Sequence, residues 1–404
     1  MDYSACVMPR TNRHEPHAEP INTLIRTPAL INKPFISTPR GSFNSHLSHV
    51  DLFAGIGGFH IGIAAAAAEF GLGVSHALAS EIDPHCRATY ERNYGHLPEG
   101  DILDINLHKL RKRADLLTAG FPCQPFSNSG RKLGLSDPRG QFFDVIRKMI
   151  LYFTPRAFIL ENVPGMTTNG GSPERSILIP GDRLVGASMQ RLERELVKLD
   201  DYEVTWFETD SSWFGSPQVR RRVYIVGQRK EFGPLPSFDF QQAKSHSFWD
   251  VRKDMTERDF QELLLTETQT ENIRRTMKKR PPSNHLGMRR VGQAYLCEGG
   301  NVGQAYHARG KVPTLTKIWA RFLPVYFPHG NAVNHEVGDF EPNGWYGKGK
   351  IRRASVREVM RLQGFPDSFK PHPRAALAYE HAGNAVNAKV IYAIAHRVFN
   401  SILA

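Results

Sequence analysis

The chain is predicted to be an α/β protein: a Rossmann-like open sheet with a smaller, mixed or β-rich second domain. Three observations carry that prediction. Short apolar runs at 49–53, 77–79, 114–119 and 156–160 alternate with stretches of helical character, the pattern of a mainly parallel sheet with crossover helices. Each run delivers a glycine turn, an acid or a thiol at its end, the edge where open α/β sheets place reacting groups. From about residue 231 to residue 350 the periodic signals fade and prolines, glycines and basic residues take over, as in a separate smaller unit.

Length and composition narrow the classes. With 404 residues the chain holds two domains, or one large domain with an insertion. Its longest apolar run, 61–68, is broken by Gly62 and is too short for a bilayer, so no membrane segment is expected. No secretory signal is visible. Cys6, Cys86, Cys123 and Cys297 are scattered and form no C-x-x-C, which argues against a zinc site or a disulfide framework and for a reducing compartment. A net charge of +12 suits a polyanionic partner such as nucleic acid.

Residues 1–48 hold six prolines without periodicity and are expected to be a flexible extension. The strand at 49–53 passes through Ala54-Gly55-Ile56-Gly57-Gly58 into an alanine-rich helix ending near Gly71. Glycines let backbone approach a ligand, and a helix N-terminus favours an electronegative group; NAD and FAD folds share this turn. The strand at 77–79 delivers Ser80-Glu81-Ile82-Asp83, with an acid placed to hold a ribose. Asp101 and Ile102 reach the same edge, although Asp101 could equally be a helix N-cap and Asp83 a surface charge.

The strand at 114–119 stops in Gly120-Phe121-Pro122-Cys123-Gln124-Pro125-Phe126-Ser127, where two prolines hold the backbone extended around one cysteine. A small buried hydrophobe and a reacting thiol both fit that turn. Residues 127–139 read as a long loop, of the kind that is usually functional, before a helix opening at Phe142-Phe143. The strand at 156–160 delivers Glu161-Asn162-Val163; the glutamate is either an arginine's partner or a chemical group. A loop-rich insertion at 167–188 precedes a helix with Met189, Leu192, Leu196 and Leu199 on one face. Strands at 202–209 and 222–227 flank Gln218-Val219-Arg220-Arg221-Arg222, where Arg220 and Arg222 alternate and can face one side. Pro313-Thr314-Leu315-Thr316 lies late in the basic region. A helical segment at 355–366 ends in Gly364-Phe365-Pro366, and Gly383-Asn384-Ala385-Val386 leads to an apolar helix with Val390, Ile394, Val398 and Ile402.

In this order, the blocks from about Val50 to Val398 resemble those of the DNA (cytosine-5) methyltransferases of the bacterial modification type. The resemblance implies an S-adenosylmethionine-dependent methyltransferase fold. It implies a catalytic domain at 49–230, a target-recognition domain at 231–350, and a segment at 351–404 that returns to the catalytic domain. Cys123 would be the nucleophile, with Glu161, Arg220 and Arg222 as its catalytic partners. S-adenosyl-L-methionine would lie on Phe53, Ala54, Gly55, Ile56, Gly57 and Gly58, with Glu81 on its ribose and Asp101 and Ile102 on its adenine. Ile82 stands where the family often has an aromatic, so stacking there becomes apolar packing. Gly120, Pro122 and Phe142 would flank the cofactor, and Asn384 and Val386 would complete its pocket. Ala385 replaces a frequent serine, a loss worth about 1 kcal/mol. Phe121, Ser127, Gln218 and Thr314 are expected to meet the DNA.

The chemistry so implied is addition of the Cys123 thiolate to C6 of a flipped-out cytosine, with Glu161 at N3. Methyl transfer to C5 then leaves S-adenosyl-L-homocysteine. The expected partner is double-stranded DNA, met by a monomer in a prokaryotic cytosol, beside a cognate restriction endonuclease. No metal is called for. A nicotinamide oxidoreductase would explain the glycine turn and Glu81, but leaves Cys123, Glu161, Arg220 and Arg222 without connected roles. Within the same chemistry the alternative is cytosine-5 methylation of RNA such as tRNA; the Cys-Phe-Thr tripeptide associated with RNA-directed members is absent.

Overall fold

The computed structural model describes residues 45–122, 142–244, 246–253, 256–270, 283–285, 288–295, 302–308, 311–317, 319–327 and 350–404. The expected N-terminal extension at 1–48 and the loop at 127–139 lie wholly or almost wholly outside these residues.

The glycine-turn strand, β1 (His46–Leu52), sits inside a six-stranded sheet whose order is β2-β1-β3-β4-β9-β7. β2 (Gly73–Ser80), β3 (Leu116–Gly120) and β4 (Ala157–Asn162) run parallel with it. All six residues of β4 are buried, as expected for a strand covered on both faces. The insertion at 167–188 holds a two-stranded pair, β5 (Glu174–Arg175) and β6 (Leu184–Val185). β7 (Tyr202–Asp210) and β9 (Arg221–Arg229) close the sheet antiparallel, with the short β8 (Gln218–Val219) between them.

Helix α1 (Gly58–Glu69) follows β1, α2 (Pro84–Tyr94) follows β2, and α3 (Phe142–Phe153) precedes β4. α1 packs against the last helix, Ala388–Ile402, with glycine at the crossing: a Cβ on Gly62 would stand 2.7 Å from the Ala388 carbonyl oxygen. Val386, at the entry to that helix, rests on Gly58, where a Cβ would stand 2.8 Å from the valine methyl. The entry to the helix Ala388–Ile402 thus lies beside the turn that follows β1.

A second, five-stranded sheet has the order β10-β11-β12-β14-β15. Its strands are β10 (Ser283–His285), β11 (Met288–Tyr295), β12 (Val302–His307), β14 (Pro324–Phe327) and β15 (Lys350–Arg353). Between β12 and β14, β13 (Val312–Pro313) leaves this sheet to pair with β8. β10, β11, β12 and β14 lie within 231–350, and β15 begins at residue 350.

The helix Val356–Leu362 opens with a capping box between Ser355 and Glu358. Glu358, fully buried, also receives both guanidinium arms of the buried Arg352 at 2.6 and 2.8 Å, and the Lys253 N–H at 3.0 Å. Arg361, on the same helix, donates to the carbonyls of Val251 and Arg252 and pairs with Asp367 at 2.6 Å. One short helix thereby holds the second sheet, the 248–253 segment and the Gly364-Phe365-Pro366 turn together.

Candidate active site

Four strand ends meet at one edge of the central sheet. At the first, Phe53 takes φ 54°, unusual for a residue with a Cβ, and turns the chain out of β1. Its ring meets Phe142, the first residue of α3, edge-on at 5.3 Å. Gly57 follows at φ 87°, and a Cβ there would stand 2.2 Å from the Tyr94 ring. Gly57 and Gly58 are thus required by packing against Tyr94 and Val386. Gly55 differs, because a Cβ there would meet nothing within 4 Å among the described residues, which leaves the turn open at that point. Ala54 and Ile56 are buried beneath the turn.

Glu81, at the tip of β2, accepts from Gly55 N–H and from Asp83 N–H, each at 2.8 Å. One carboxylate therefore clamps the glycine turn to the next strand. Burial raises its pKa, while these backbone donors pull it down. Ile82 beside it is 68% exposed, an apolar face standing at the mouth of the turn. Asp83 is no idle surface charge; it caps α2, accepting from His85 N–H and Cys86 N–H. Asp101 likewise caps the turn Ile102–Asp104 through Leu103 N–H, with Ile102 buried.

β3 and β4 pair so that Gly120 lies opposite Glu161. A Cβ on Gly120 would stand 3.4 Å from Phe59, 3.6 Å from Glu161 Oε2 and 3.6 Å from Val386, so these groups surround the point where the cysteine segment leaves the sheet. Glu161 Oε1 accepts from Arg222 Nε at 2.8 Å, and both side chains are largely shielded from solvent. Asn162 Nδ2 donates to the Phe121 carbonyl at 3.3 Å, holding the start of the cysteine segment against β4. Phe121 itself is buried; Pro122 is half-buried. Cys123 and Ser127 lie outside the described residues.

Arg220 goes elsewhere. Its guanidinium donates to the carbonyls of Leu315 at 2.7 Å, Gly383 at 3.4 Å and Ala385 at 2.9 Å. Gln218, buried, donates to the Leu362 carbonyl at 3.4 Å and accepts from Leu315 N–H at 3.3 Å. Thr314 donates to the Val219 carbonyl at 2.8 Å. Gln218 and Thr314, the residues expected to meet DNA, tie β8 to β13 and to the helix Val356–Leu362. Asn384 is exposed at the end of the helix Ala375–Asn384, one turn of chain from Val386.

Beneath the glycine turn runs a polar network that the sequence reading missed. Asp51, fully buried, accepts from Thr118 Oγ1 at 2.9 Å and Tyr90 Oη at 3.4 Å. His49 Nε2 bonds Thr118 at 2.8 Å, and His76 Nε2 bonds Tyr90 at 2.8 Å. His60 stacks on His76 at 4.6 Å and lies 4.4 Å from Tyr94, whose hydroxyl donates to the carbonyls of Ile56 and Gly57. Burial raises Asp51 to about 8 and lowers His49 to about 3 and His76 to about 4. The available signal was His49 and Asp51 at alternate positions of a strand flanked by apolar residues, polar groups on its buried face.

Residues 47–400, which include all four strand ends, match the model of the C-5 cytosine-specific DNA methylases. The chain belongs to that family. It is a DNA cytosine-5 methyltransferase. Among curated relatives it is similar to the type II methyltransferase M.DsaV of Dactylococcopsis salina, 33% identical over 88% of this chain and 87% of that one. It is similar also to M.HpaII of Haemophilus parainfluenzae, at 30% identity over 94% and 97% of the two chains. M.HhaI of Haemophilus parahaemolyticus shares 28% over 88% and 95%. Among solved structures, the Entamoeba histolytica methyltransferase EhMeth superposes with a TM-score of 0.63 at 14% identity, covering 88% of this chain and 99% of that one. The Dnmt2 methyltransferase of S. pombe gives 0.57 at 18%, covering 87% and 98%, so the fold is that of this class of methyltransferases. Among the described residues, no helix is long and apolar enough to cross a membrane.

Proposed function

We propose that this chain methylates C5 of a flipped-out cytosine within a specific word of double-stranded DNA, through a covalent bond between Cys123 and C6. We assign it as the modification enzyme of a restriction-modification system, as the type II names of its relatives suggest. The observation that carries the reading is the shielded Glu161–Arg222 pair, at the tip of β4 and directly beside the strand end that leads to Cys123.

S-adenosyl-L-methionine, when bound, supplies an electrophilic methyl group. The residues that would hold it are consistent with that ligand: an open turn at Gly55, the exposed apolar face of Ile82, and the edge-on pair of Phe53 and Phe142. Glu81 would keep the turn in place and offer its carboxylate to a ribose. In the proposed reaction the Cys123 sulfur adds to C6, and the C5–C6 electrons move into the ring toward N3, where Glu161 supports the charge or gives a proton. Arg222 holds Glu161 in orientation, and its cationic charge favours the thiolate. C5 then takes the methyl group, loses its proton to a base, and the electrons returned by that bond expel Cys123. Flipping is required because the target atom cannot be reached inside a duplex.

Single-base sequencing of 5-methylcytosine in plasmid DNA from cells expressing the protein tests this directly, beside a Cys123→Ser control. Methylation at one recurring word, absent from the control, is expected. An unmethylated plasmid beside soluble, folded protein overturns the reading.

A further inference from the structure

Across the first turn of α2, three side chains converge that the methyl-transfer chemistry does not use. Donor atoms of Asp83, Cys86 and His381 all lie within 4.8 Å of one another. They come from two elements: Asp83 caps α2 and Cys86 sits in its first turn, while His381 belongs to the helix Ala375–Asn384. His381 is 3% exposed, and neither of its ring nitrogens has a hydrogen-bond partner. A buried imidazole with both nitrogens unsatisfied is costly unless something is bound there. Asp83 accepts its two capping bonds through Oδ1, which leaves Oδ2 for a ligand. The ring of His372 lies 5.7 Å from that of His381 and 5.2 Å from that of His85. His372 uses Nδ1 to accept from Arg374 N–H, so its Nε2 can supply a fourth donor. Glu380 pairs with Lys317 on the same side, and Glu81 lies two residues before Asp83, so the surroundings are rich in acids.

We propose that Asp83, Cys86 and His381 form a site for a thiophilic divalent cation of the zinc class. One thiolate, one imidazole and one carboxylate make a donor set that suits zinc and excludes magnesium and calcium, which take oxygen. Donor atoms around tetrahedral zinc stand about 3 to 4 Å apart, given bonds of about 2.0 to 2.3 Å. Small rotations of these side chains bring 4.8 Å within that range. The sequence reading discounted metal because no C-x-x-C is present; here the donors come from 83–86 and 381, joined only by the fold. The bound ion would clamp the start of α2, beside Glu81, to the helix that leads into Val386. The site stands independently of the proposed methyl transfer.

Cobalt(II), added to full-length reduced protein stripped with chelator, reports thiolate ligation by a charge-transfer band. The band is expected in the parent and in Cys123→Ser, and is expected to be lost in Cys86→Ser and His381→Gln. Zinc should raise the thermal midpoint of the parent and leave those two variants unmoved. Asp83→Asn keeps the helix cap and removes the carboxylate, so it should fold normally and bind cobalt at least about tenfold more weakly. A folded, reduced parent without the band overturns the site, as does a band that survives Cys86→Ser or an Asp83→Asn protein with parental affinity.

Discussion

Arg220 and Arg222 stand two positions apart on one extended segment, yet their guanidinium groups go to different places. Alternation along a strand says that two side chains share a side, and it says nothing of what waits there. Arg222 meets a carboxylate, whereas Arg220 meets three carbonyls from residues far away in sequence. Their substitutions should therefore separate. Arg220→Ala removes charge-assisted bonds that join β8 to the 313–316 segment and to the 383–386 turn, and should cost about 2 to 4 kcal/mol in chemical denaturation. Glu161→Gln keeps the shape of its site and removes the acid, so kcat should fall by about 10²- to 10⁴-fold in a methyl-transfer assay on protein shown to be folded. A Glu161→Gln enzyme with unchanged kcat would remove Glu161 from the reaction. The glycine turn was legible for the same local reason that Arg220 was not: Phe53 to Gly58 act within one turn of chain, whereas the partners of Gln218 and Thr314 are set by a pairing of β8 with β13 that no local pattern carries.

The inner strands β3 and β4 of the central sheet could be read from apolar runs because they are buried on both faces and need no partner to be recognised. β10 to β15 could not, since their short runs gain meaning only through pairing across long separations. Their sheet depends on the helix Val356–Leu362, and that helix depends on one carboxylate. Glu358 gathers Arg352, Ser355 and Lys253, and each arrives from a different direction. Glu358→Ala leaves the Arg352 charge buried without its carboxylate partner, and should destabilise the protein by about 3 to 5 kcal/mol in guanidinium denaturation. Loss of less than about 1 kcal/mol would mean that the second sheet is held by other contacts.

For the whole molecule, the buried network under the glycine turn fixes how stability responds to pH. His49 and His76 have folded pKa values below their ordinary 6.5, so acid binds the unfolded chain preferentially; their contribution is complete above about 6.5 and is lost as pH falls toward 3 to 4. Asp51 works in the other direction. Its folded pKa of about 8 lies above the ordinary 3.8, so its contribution is complete below about 3.8 and declines as pH rises to 8. From these groups, stability should peak near pH 6.5 in thermal melts across pH 4 to 9. Asp51→Asn should flatten the decline above pH 6.5 and steepen the rise between about pH 4 and 6.5; an unchanged alkaline limb would show that Asp51 is ionised in the folded protein. The meeting of Val386 with Gly58 also has a meaning for synthesis. Ile61, Ile63, Ala66 and Ala67 of α1 leave the ribosome well before the helix Ala388–Ile402 that covers α1. Until that helix is made, the nascent chain carries an uncovered greasy stripe that only a distant, later segment can close.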